Sequence, residues 1–202
     1  MTPSEPSVQS TSVERAKQAL RREVLALRDA LSAEQRAAAA AVIAARDLPV
    51  AVTSGMIVAG YWPLKAEINP IPLMRRFADA GSGLALPVVV GRGEPLCMRS
   101  WSFDEPLASG VWGIREPLAQ APEVFPDVLI VPLLAFDRVG QRIGYGAGYY
   151  DMTISRLRAM KPVTAIGIAF ACQQTAQVPI TPRDARLDLV LTEAAIFDCR
   201  QT

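Results

Sequence analysis

VPLLAFDRVGQRIGYGAGYYD, residues 131–151, follows a short apolar run and places Gly140, Gly144, Gly146 and Gly148 in one segment. Glycine adopts positive φ easily and leaves the backbone N–H groups around it uncovered, so the chain can curve closely around a bound group. Exposed N–H groups at the start of a helix form a cradle for phosphate. The segment is therefore typical of a phosphate-binding loop.

Charged side chains in the same segment fit this interpretation. Arg142 offers a planar cationic fork, which suits phosphate. Asp151 offers a hard carboxylate oxygen of the kind that Mg²⁺ prefers. Together these groups indicate a site that handles nucleotides.

A second interpretation needs no ligand. Residues 137–140, Asp-Arg-Val-Gly, form a good turn, so the segment can equally be a wide hairpin. Known motifs do not decide the matter, because the GK[ST] ending of a Walker A loop is absent and the glycines are spaced GxGxG rather than GxGxxG. From the residues alone, both interpretations stay open.

Composition narrows the possible chemistry. A chain of 202 residues, half of them apolar, fits one globular domain with a sizeable core. A net charge of +1 gives no reason to expect a nucleic-acid or acidic membrane partner. The chain has no histidine, which excludes Ser-His-Asp hydrolysis, Cys-His proteolysis and HExxH zinc sites. Catalysis must use other side chains, backbone dipoles or a metal.

Several features predict a cytoplasmic location. Cys97, Cys172 and Cys199 form no CxxC pair, which favours a reducing compartment. The first residues lack the basic and apolar regions of a secretory signal. The alanine-rich run 37–45 is too short to cross a membrane. We therefore expect a cytoplasmic protein without a membrane partner, acting as a monomer.

Hydrophobic periodicity predicts alternating helices and strands. Residues 1–11 are expected to be a disordered leader, and residues 12–202 a single α/β domain. A helix is predicted from about Ser12, and the capping box Ser32-Ala33-Glu34-Gln35 predicts the start of a second helix. Two further helices are predicted at 71–80 and 151–160, and strands at 56–61, 84–90, 96–101, 128–132, 163–170 and 187–191.

This order of elements favours an α/β fold with three layers. We predict a mainly parallel, doubly wound (Rossmann-like) sheet with helices on both faces. Ligands of such sheets bind at the carboxyl ends of the strands.

The first helix carries a column of cations. Lys17, Arg21 and Arg28 are spaced i, i+4 and i+11 beside the apolar stripe. A solvated basic edge is the usual explanation of such a column. The functional alternative is that Lys17 and Arg21 reach over the sheet and neutralise phosphate charge.

Two further segments can line a cleft. Residues 61–68, YWPLKAEI, place Trp62 and Glu67 after a predicted strand, where a flat heterocycle could stack on the ring and donate its N–H groups to the carboxylate. A strand end with core aromatics and a surface Glu is the other interpretation. Trp112 lies in a segment that either fills the inside of a loop or forms a wall of the cleft.

Five segments resemble, in order, those of the 5-formyltetrahydrofolate cyclo-ligases, also called methenyltetrahydrofolate synthetases. The resemblance covers about residues 15–195. The matching segments are KQALR at 17–21 (KxxLR), YWPLKAEI at 61–68, GIREP at 113–117, the glycine-rich segment at 131–151, and the acidic stretch from Val178-Pro179 through Asp184 to Asp188.

The resemblance implies an activity. The family converts 5-formyltetrahydrofolate to 5,10-methenyltetrahydrofolate with ATP and Mg²⁺, releasing ADP and phosphate. The formyl oxygen is thought to attack the γ-phosphate, and N10 then attacks the activated carbon, which closes the ring as phosphate leaves. This chemistry needs phosphate donors and a metal rather than a histidine base.

The resemblance also implies roles for single residues. Asp151 and Asp184 would hold Mg²⁺, and Arg142 and Tyr150 would be catalytic. The folate would contact Trp62, Glu67, Trp112 and Tyr149. The residues implied for ATP are Lys17, Arg21, Arg142, Gly144, Tyr145, Gly146, Ala147, Gly148, Tyr149 and Tyr150.

The chain departs from the family pattern inside the glycine loop. Tyr145 and Ala147 stand where some members carry Lys or Arg, so phosphate contact at these positions is expected through the backbone. Leu133 and Met152 also differ from the usual signature. The departures leave two alternatives to the cyclo-ligase: a divergent relative that acts on another substrate or none, and a non-catalytic pterin- or nucleotide-binding module.

Overall fold

Apolar runs form the strands of one large sheet in the computed structural model, which describes residues 8–200 and only the backbone of residues 8–11. The four helices are α1 (Val8–Asp29), α2 (Ala33–Ala45), α3 (Ile71–Asp79) and α4 (Tyr149–Met160). The strands are β1 (Ile57–Ala59), β2 (Gly83–Val88), β3 (Cys97–Ser100), β4 (Leu107–Ser109), β5 (Arg115–Pro117), β6 (Val128–Pro132), β7 (Ala135–Phe136), β8 (Arg142–Ile143), β9 (Thr164–Ile168), β10 (Leu189–Leu191) and β11 (Ile196–Asp198).

The sheet has seven strands in the order β11-β10-β9-β6-β1-β2-β3. Its five central strands are parallel, and β3 and β11 join the two edges in the antiparallel sense. Along the chain, β1 is the first strand of the sheet. Strand β2 lies on one side of β1, and β6, β9 and β10 follow in turn on the other side. The winding therefore reverses between β1 and β6, which makes this pair the topological switch point.

Helices cover both faces of the sheet. Residues of α2 and α3, among them Ile43, Met74 and Phe77, pack on one face with alternate strand residues such as Val58 and Ile130. Ile154 and Leu157 of α4 pack on the opposite face with Leu129, Val131 and other residues of the same strands. A strand buried on both sides reads as a continuous apolar run, as Val128–Val131 does. The predicted three-layer, doubly wound fold is confirmed.

Local signals set several boundaries as predicted. Ser32 Oγ accepts a hydrogen bond from Gln35 N at 3.1 Å, and Ser32 N donates to Gln35 Oε1 at 2.8 Å, so the capping box opens α2. Residues 137–140 form the predicted turn, because β7 and β8 pair as a short hairpin around it. Asp137 holds this turn by accepting hydrogen bonds from Val139 N, Gln141 N and Val178 N.

Other boundaries differ from the prediction. Helix α1 begins at Val8 rather than near Ser12, so residues 8–11 of the predicted leader are helical, and residues 1–7 lie outside the described part of the chain. Helix α4 begins at Tyr149 rather than Asp151, because Gly148 at φ +73° caps it directly. Strands β4, β5, β7, β8 and β11, of two or three residues each, were not predicted. The three-residue strands β1 and β10 were predicted only as parts of longer segments, 56–61 and 187–191.

The turn of the β7–β8 hairpin depends on Gly140. It has φ +85°, and a Cβ there would lie 2.6 Å from Leu187 O. Gly93 has a similar φ of +80° but open space around it. We expect Gly140→Ala to lower the free energy of unfolding by about 1–3 kcal/mol more than Gly93→Ala, because only Gly140 adds overpacking to backbone strain. Urea denaturation of both variants measures this difference. Equal losses of unfolding free energy would show that a Cβ at position 140 does not clash with Leu187 O.

Candidate active site

The two predicted halves of the cleft meet at the switch point. The segment with Trp62 and Glu67 follows β1, and the glycine-rich segment follows β6. Since β1 and β6 pair in parallel, with Ala59 opposite Leu129, their carboxyl ends lie at the same edge of the sheet. This is the position where doubly wound sheets bind ligands.

The glycine loop runs from β8 into the first turn of α4. Gly146 and Gly148 have φ values of +103° and +73°, which only glycine adopts without strain. No side chain caps α4 at Gly148, so the backbone N–H groups of its first turn, from Tyr149 on, have no side-chain acceptor there. Arg21 lies against this loop, because its Nε donates to Gly144 O at 3.0 Å. The N–H groups at the start of α4 and the guanidinium of Arg21 therefore lie at the same loop.

Arg142 and Asp151 form a buried ion pair behind the loop. Arg142 Nη2 donates to Asp151 Oδ1 at 2.8 Å, and the arginine is only 4 % exposed. Burial lowers the pKa of Arg142, while Asp151, Tyr150 and Asp184 oppose this shift. Arg142 Nε is buried and has no hydrogen-bond partner among the described residues. The guanidinium thus keeps donor capacity for a further acceptor.

Lys17 and Asp184 form a second ion pair at the same place. Lys17 Nζ lies 2.7 Å and 2.5 Å from the two carboxylate oxygens of Asp184, and Lys17 is 6 % exposed. Thr181 also donates to Asp184, from its backbone N and from Oγ1 at 2.9 Å. The next residue, Ala185, donates its N–H to Asp151 Oδ1 at 3.0 Å, so the two carboxylates belong to neighbouring parts of one site.

The two ion pairs, Lys17–Asp184 and Arg142–Asp151, join the predicted phosphate-binding cations to the predicted metal-binding carboxylates. The sequence suggested cations for phosphate and carboxylates for a metal, and in the fold each of these carboxylates accepts from one of the cations. No group of three or more His, Cys, Asp or Glu side chains able to hold a metal occurs within the described residues.

The predicted heterocycle pocket is partly built from buried groups. Glu67 Oε2 accepts a hydrogen bond from Leu64 N at 2.8 Å. Burial raises the pKa of Glu67, and hydrogen bonds from Leu64 and Tyr145 act in the opposite direction. Trp62 is half-buried, with its ring edge-on to Trp101 and the Arg115 guanidinium 5.4 Å from its centroid. Glu67 is therefore not a plain surface carboxylate.

Two aromatic side chains, Trp112 and Tyr149, lie close together at the start of α4. Trp112 is 69 % exposed and has a left-handed backbone, with φ 58°, between Gly110 and Gly113. Its ring centroid lies 6.2 Å from that of Tyr149, so it fits a wall better than a buried plug. Burial raises the pKa of Tyr150 well above its usual value, with Glu67 adding to the shift. Tyr150 therefore stays protonated, and its hydroxyl can donate a hydrogen bond.

Comparison with known proteins identifies the family. Residues 13–193 match the profile of the 5-formyltetrahydrofolate cyclo-ligase family. The chain belongs to this family. The predicted identity as a cyclo-ligase, and as an enzyme of folate metabolism, is thereby confirmed.

Individual cyclo-ligases agree with the match. The chain is 31 % identical to 5-formyltetrahydrofolate cyclo-ligase of Escherichia coli K12 over 150 residues, which is 70 % of this chain and 80 % of that protein. It is 31 % identical to the Mycolicibacterium smegmatis cyclo-ligase over 151 residues, 69 % and 74 % of the two chains. An NMR structure of Aquifex aeolicus 5,10-methenyltetrahydrofolate synthetase superposes with a TM-score of 0.74 at 29 % identity, covering 91 % of this chain and 93 % of that one.

One buried residue next to the candidate site received no role from the sequence. Arg28, third in the cationic column of α1, is 2 % exposed, and its Nη1 donates to Tyr145 Oη at 2.9 Å. The column itself was the signal, but spacing on a helix does not show what lies opposite it. Lys17, Arg21 and Arg28 all contact groups beyond α1, so the interpretation as a solvated basic edge is wrong.

The Lys17–Asp184 pair predicts a pH dependence of stability in metal-free protein. Burial tends to raise the pKa of Asp184, but hydrogen bonds from Lys17 and Thr181 outweigh it and lower the pKa. A lowered pKa in the folded state stabilises the protein above the unfolded-state pKa of about 4, and this contribution is lost as pH falls through the folded-state pKa. We expect Lys17→Met to cost about 3 kcal/mol at pH 7 and much less near pH 3.

Urea denaturation in chelator-treated buffer at pH 7, 5 and 3 measures this difference. The exposed Arg22, on the same helix, gives the matched control Arg22→Met, for which little change is expected at any pH. A cost for Lys17→Met that stays constant with pH would contradict the role assigned to the ion pair.

Proposed function

We propose that the chain converts 5-formyltetrahydrofolate to 5,10-methenyltetrahydrofolate with ATP and Mg²⁺, releasing ADP and phosphate. One observation carries the proposal. The buried Arg142, with its unpartnered Nε, is paired with Asp151 next to a glycine loop that opens α4. A preorganised cation beside uncovered N–H groups suits phosphoryl transfer, which depends on positioning and charge stabilisation.

The ATP half of the site uses the loop and the cations around it. The backbone of residues 144–150 would hold phosphate oxygens, as helix N-termini do. Arg142 would direct its remaining donors at the same oxygens. Arg21 contacts the loop by donating a hydrogen bond to Gly144 O. Lys17 would add charge from the other side, beside Asp184. The side chain of Ala147 adds no charge, so this position contributes backbone only.

Asp151 and Asp184 would be the carboxylates that hold Mg²⁺. Asp151 Oδ2 accepts no hydrogen bond from a described residue, since both of its contacts use Oδ1. Mg²⁺ commonly takes one or two carboxylates and completes its shell with phosphate oxygens and water. When bound, the ion would neutralise charge on the phosphates. Arg142, Lys17 and Thr181 keep the two carboxylates in place.

The folate half uses the loop after β1. Glu67 would accept hydrogen bonds from ring N–H groups of the pterin, and Trp62 would stack on the ring. Trp112 and Tyr149, 6.2 Å apart, would flank the remainder of the substrate. Because this pocket and the glycine loop leave adjacent strands, the formyl oxygen and the γ-phosphate can be held near each other.

The chain's own residues supply no strong base to this reaction. The formyl oxygen is itself the nucleophile, so orientation and charge neutralisation by Arg142 are the main requirements. Tyr150, which stays protonated, would donate a hydrogen bond close to Arg142 as charge moves on the phosphoryl group. N10 then attacks the activated carbon and gives up its proton, and the C–O bond breaks as phosphate leaves with the former formyl oxygen and can carry that proton away.

A direct assay tests the proposal. Purified protein is incubated with 5-formyltetrahydrofolate, ATP and Mg²⁺, and the near-ultraviolet band of the methenyl product is followed over time. We expect product only when all three are present. No ATP-dependent product would favour the divergent relative that binds nucleotide or pterin without this activity.

Asp151 gives the sharpest mutational prediction. Asp151→Asn keeps the shape of the side chain but removes the charge that binds Mg²⁺ and pairs with Arg142, so we expect kcat to fall by about 10²–10³-fold. Asp79→Asn changes an exposed carboxylate at the end of α3 and should leave kcat unchanged. Normal turnover in Asp151→Asn would remove Asp151 from the site.

Location and assembly belong to the same proposal. No helix in residues 8–200 is long and apolar enough to cross a membrane. We propose that the protein acts as a cytoplasmic monomer on its two small-molecule substrates, without nucleic acid. Sedimentation at micromolar concentration distinguishes a monomer of 21.8 kDa from a dimer.

A further inference from the structure

Two arginines of α1 contact three consecutive residues of the glycine loop. Arg21 Nε donates to Gly144 O at 3.0 Å. Arg28 Nη1 donates to Tyr145 Oη at 2.9 Å. A Cβ on Gly146 would lie 3.5 Å from Arg21 Nη2, so the same guanidinium also packs against Gly146. Because positions seven apart lie on one face of a helix, the two arginines attach the loop to α1 at two points.

The second of these points is buried. Arg28 is 2 % exposed, and a buried guanidinium is costly unless its donors are satisfied. Its other acceptor among the described residues is Asp29 Oδ1, which Nε and Nη2 each reach at 3.3 Å. The side chain of Asp29 is 53 % exposed. The shortest hydrogen bond of Arg28 therefore leaves α1 and joins the Tyr145 hydroxyl.

The glycine loop has few side chains of its own that could fix its shape. Gly144, Gly146 and Gly148 alternate along it, and glycine has more backbone freedom to lose than any other residue. Between them, Ala147 offers only a methyl group, so Tyr145 carries the one long side chain of residues 144–148. A hydrogen bond to its hydroxyl therefore restricts the middle of the loop, where the glycines do not.

We infer that Arg28 is a positioning residue for the nucleotide, which holds the Tyr145 hydroxyl and so keeps the backbone of the glycine loop in the arrangement that receives phosphate. The inference rests on the proposed function, because it takes this loop as the ATP site. Donors that are already in place bind more tightly, since no ordering cost remains to be met on binding. The Tyr145 side chain thus shapes the loop rather than contacting the nucleotide.

Removal of the hydroxyl alone gives the main test. Tyr145→Phe keeps the exposed ring and leaves Arg28 without its shortest hydrogen bond, so the fold should be retained. We expect KM for ATP to rise roughly tenfold, the lower end for losing a hydrogen bond to a charged group, while KM for 5-formyltetrahydrofolate changes by less than about twofold. Initial rates with each substrate varied in turn measure both values.

The role of Arg28 is tested by combining variants. If Arg28 acts through Tyr145, Arg28→Met combined with Tyr145→Phe should raise the KM for ATP no further than Tyr145→Phe alone, whereas independent contributions would multiply. Arg28→Lys keeps a donor and should restore part of the loss seen in Arg28→Met. Arg22→Met, on the exposed side of α1, is the matched control and should change neither KM. Thermal unfolding checks each variant, and Tyr145→Phe decides the matter if Arg28→Met does not fold.

Cleavage by chymotrypsin tests the loop without any nucleotide. This protease takes an aromatic side chain into its specificity pocket, so it cuts after residue 145 only when that ring leaves its place beside Arg28. Arg28→Met should speed this cleavage roughly tenfold, because opening no longer breaks a hydrogen bond to a charged group. Tyr145→Phe also presents an aromatic ring and should behave alike, whereas Arg22→Met should not. Mass spectrometry identifies the fragment that ends at residue 145.

The outcomes separate this inference from the proposed function. A rise in the folate KM with a normal KM for ATP, or equal rises in both, would overturn the inference alone. Multiplying effects in the double variant, or unchanged cleavage after Tyr145 in folded Arg28→Met, would do the same. Absence of turnover in the unsubstituted protein would overturn the proposed function and the nucleotide role of Arg28 with it, and the cleavage rates would still show whether Arg28 holds the loop.

Discussion

The ion pair between Arg142 and Asp151 sets the geometry on which the candidate site depends. It joins the end of β8 to the first turn of α4 at 2.8 Å, so the residues between them must form a closed loop. Such a loop requires positive φ at Gly146 and Gly148, which a side chain would strain. The same pair leaves Arg142 buried and only partly satisfied. The ion pair thus connects the two ends of the loop and keeps Arg142 beside it.

Helix α1 completes the site from outside the sheet. Its three cations contact three different partners: Lys17 binds Asp184, Arg21 binds Gly144 O, and Arg28 binds Tyr145. These partners come from the acidic segment before β10 and from the glycine loop. The helix therefore holds together segments that are distant along the chain. Charge pairing of this kind contributes more to placing the groups than to net stability, because burial of each charge is costly.

The topology of the sheet explains why two chemically different pockets lie side by side. The chain reverses its winding between β1 and β6, so the loops after these strands diverge and leave a crevice at their carboxyl ends. The loop after β1 brings Trp62 and Glu67, and the loop after β6 brings the glycine segment. A ligase that activates a folate with a phosphoryl group needs its two substrates close together.

The sequence by itself determined what is local. The alternation of helices and strands, the capping box at Ser32, the turn at Asp137–Gly140 and the glycines before α4 all follow from short-range periodicity and backbone sterics, and the ordered motifs indicated the family. The glycine segment contains the predicted turn, within the β7–β8 hairpin, and then a loop at the start of α4. Five short strands were missed, and the equally short β1 and β10 were found only because each lies in a longer predicted segment.

Only the tertiary structure decided which groups meet. Lys17 and Asp184 are separated by 167 positions, and Arg28 and Tyr145 by 117, so no local pattern could pair them. Burial then determines their chemistry: Arg28 must find acceptors, Asp184 is kept ionised by Lys17 and Thr181, and Tyr150 is kept protonated. The reason is physical. Charge in water is nearly independent of its neighbours, whereas charge in a protein interior depends on the partner that the fold supplies.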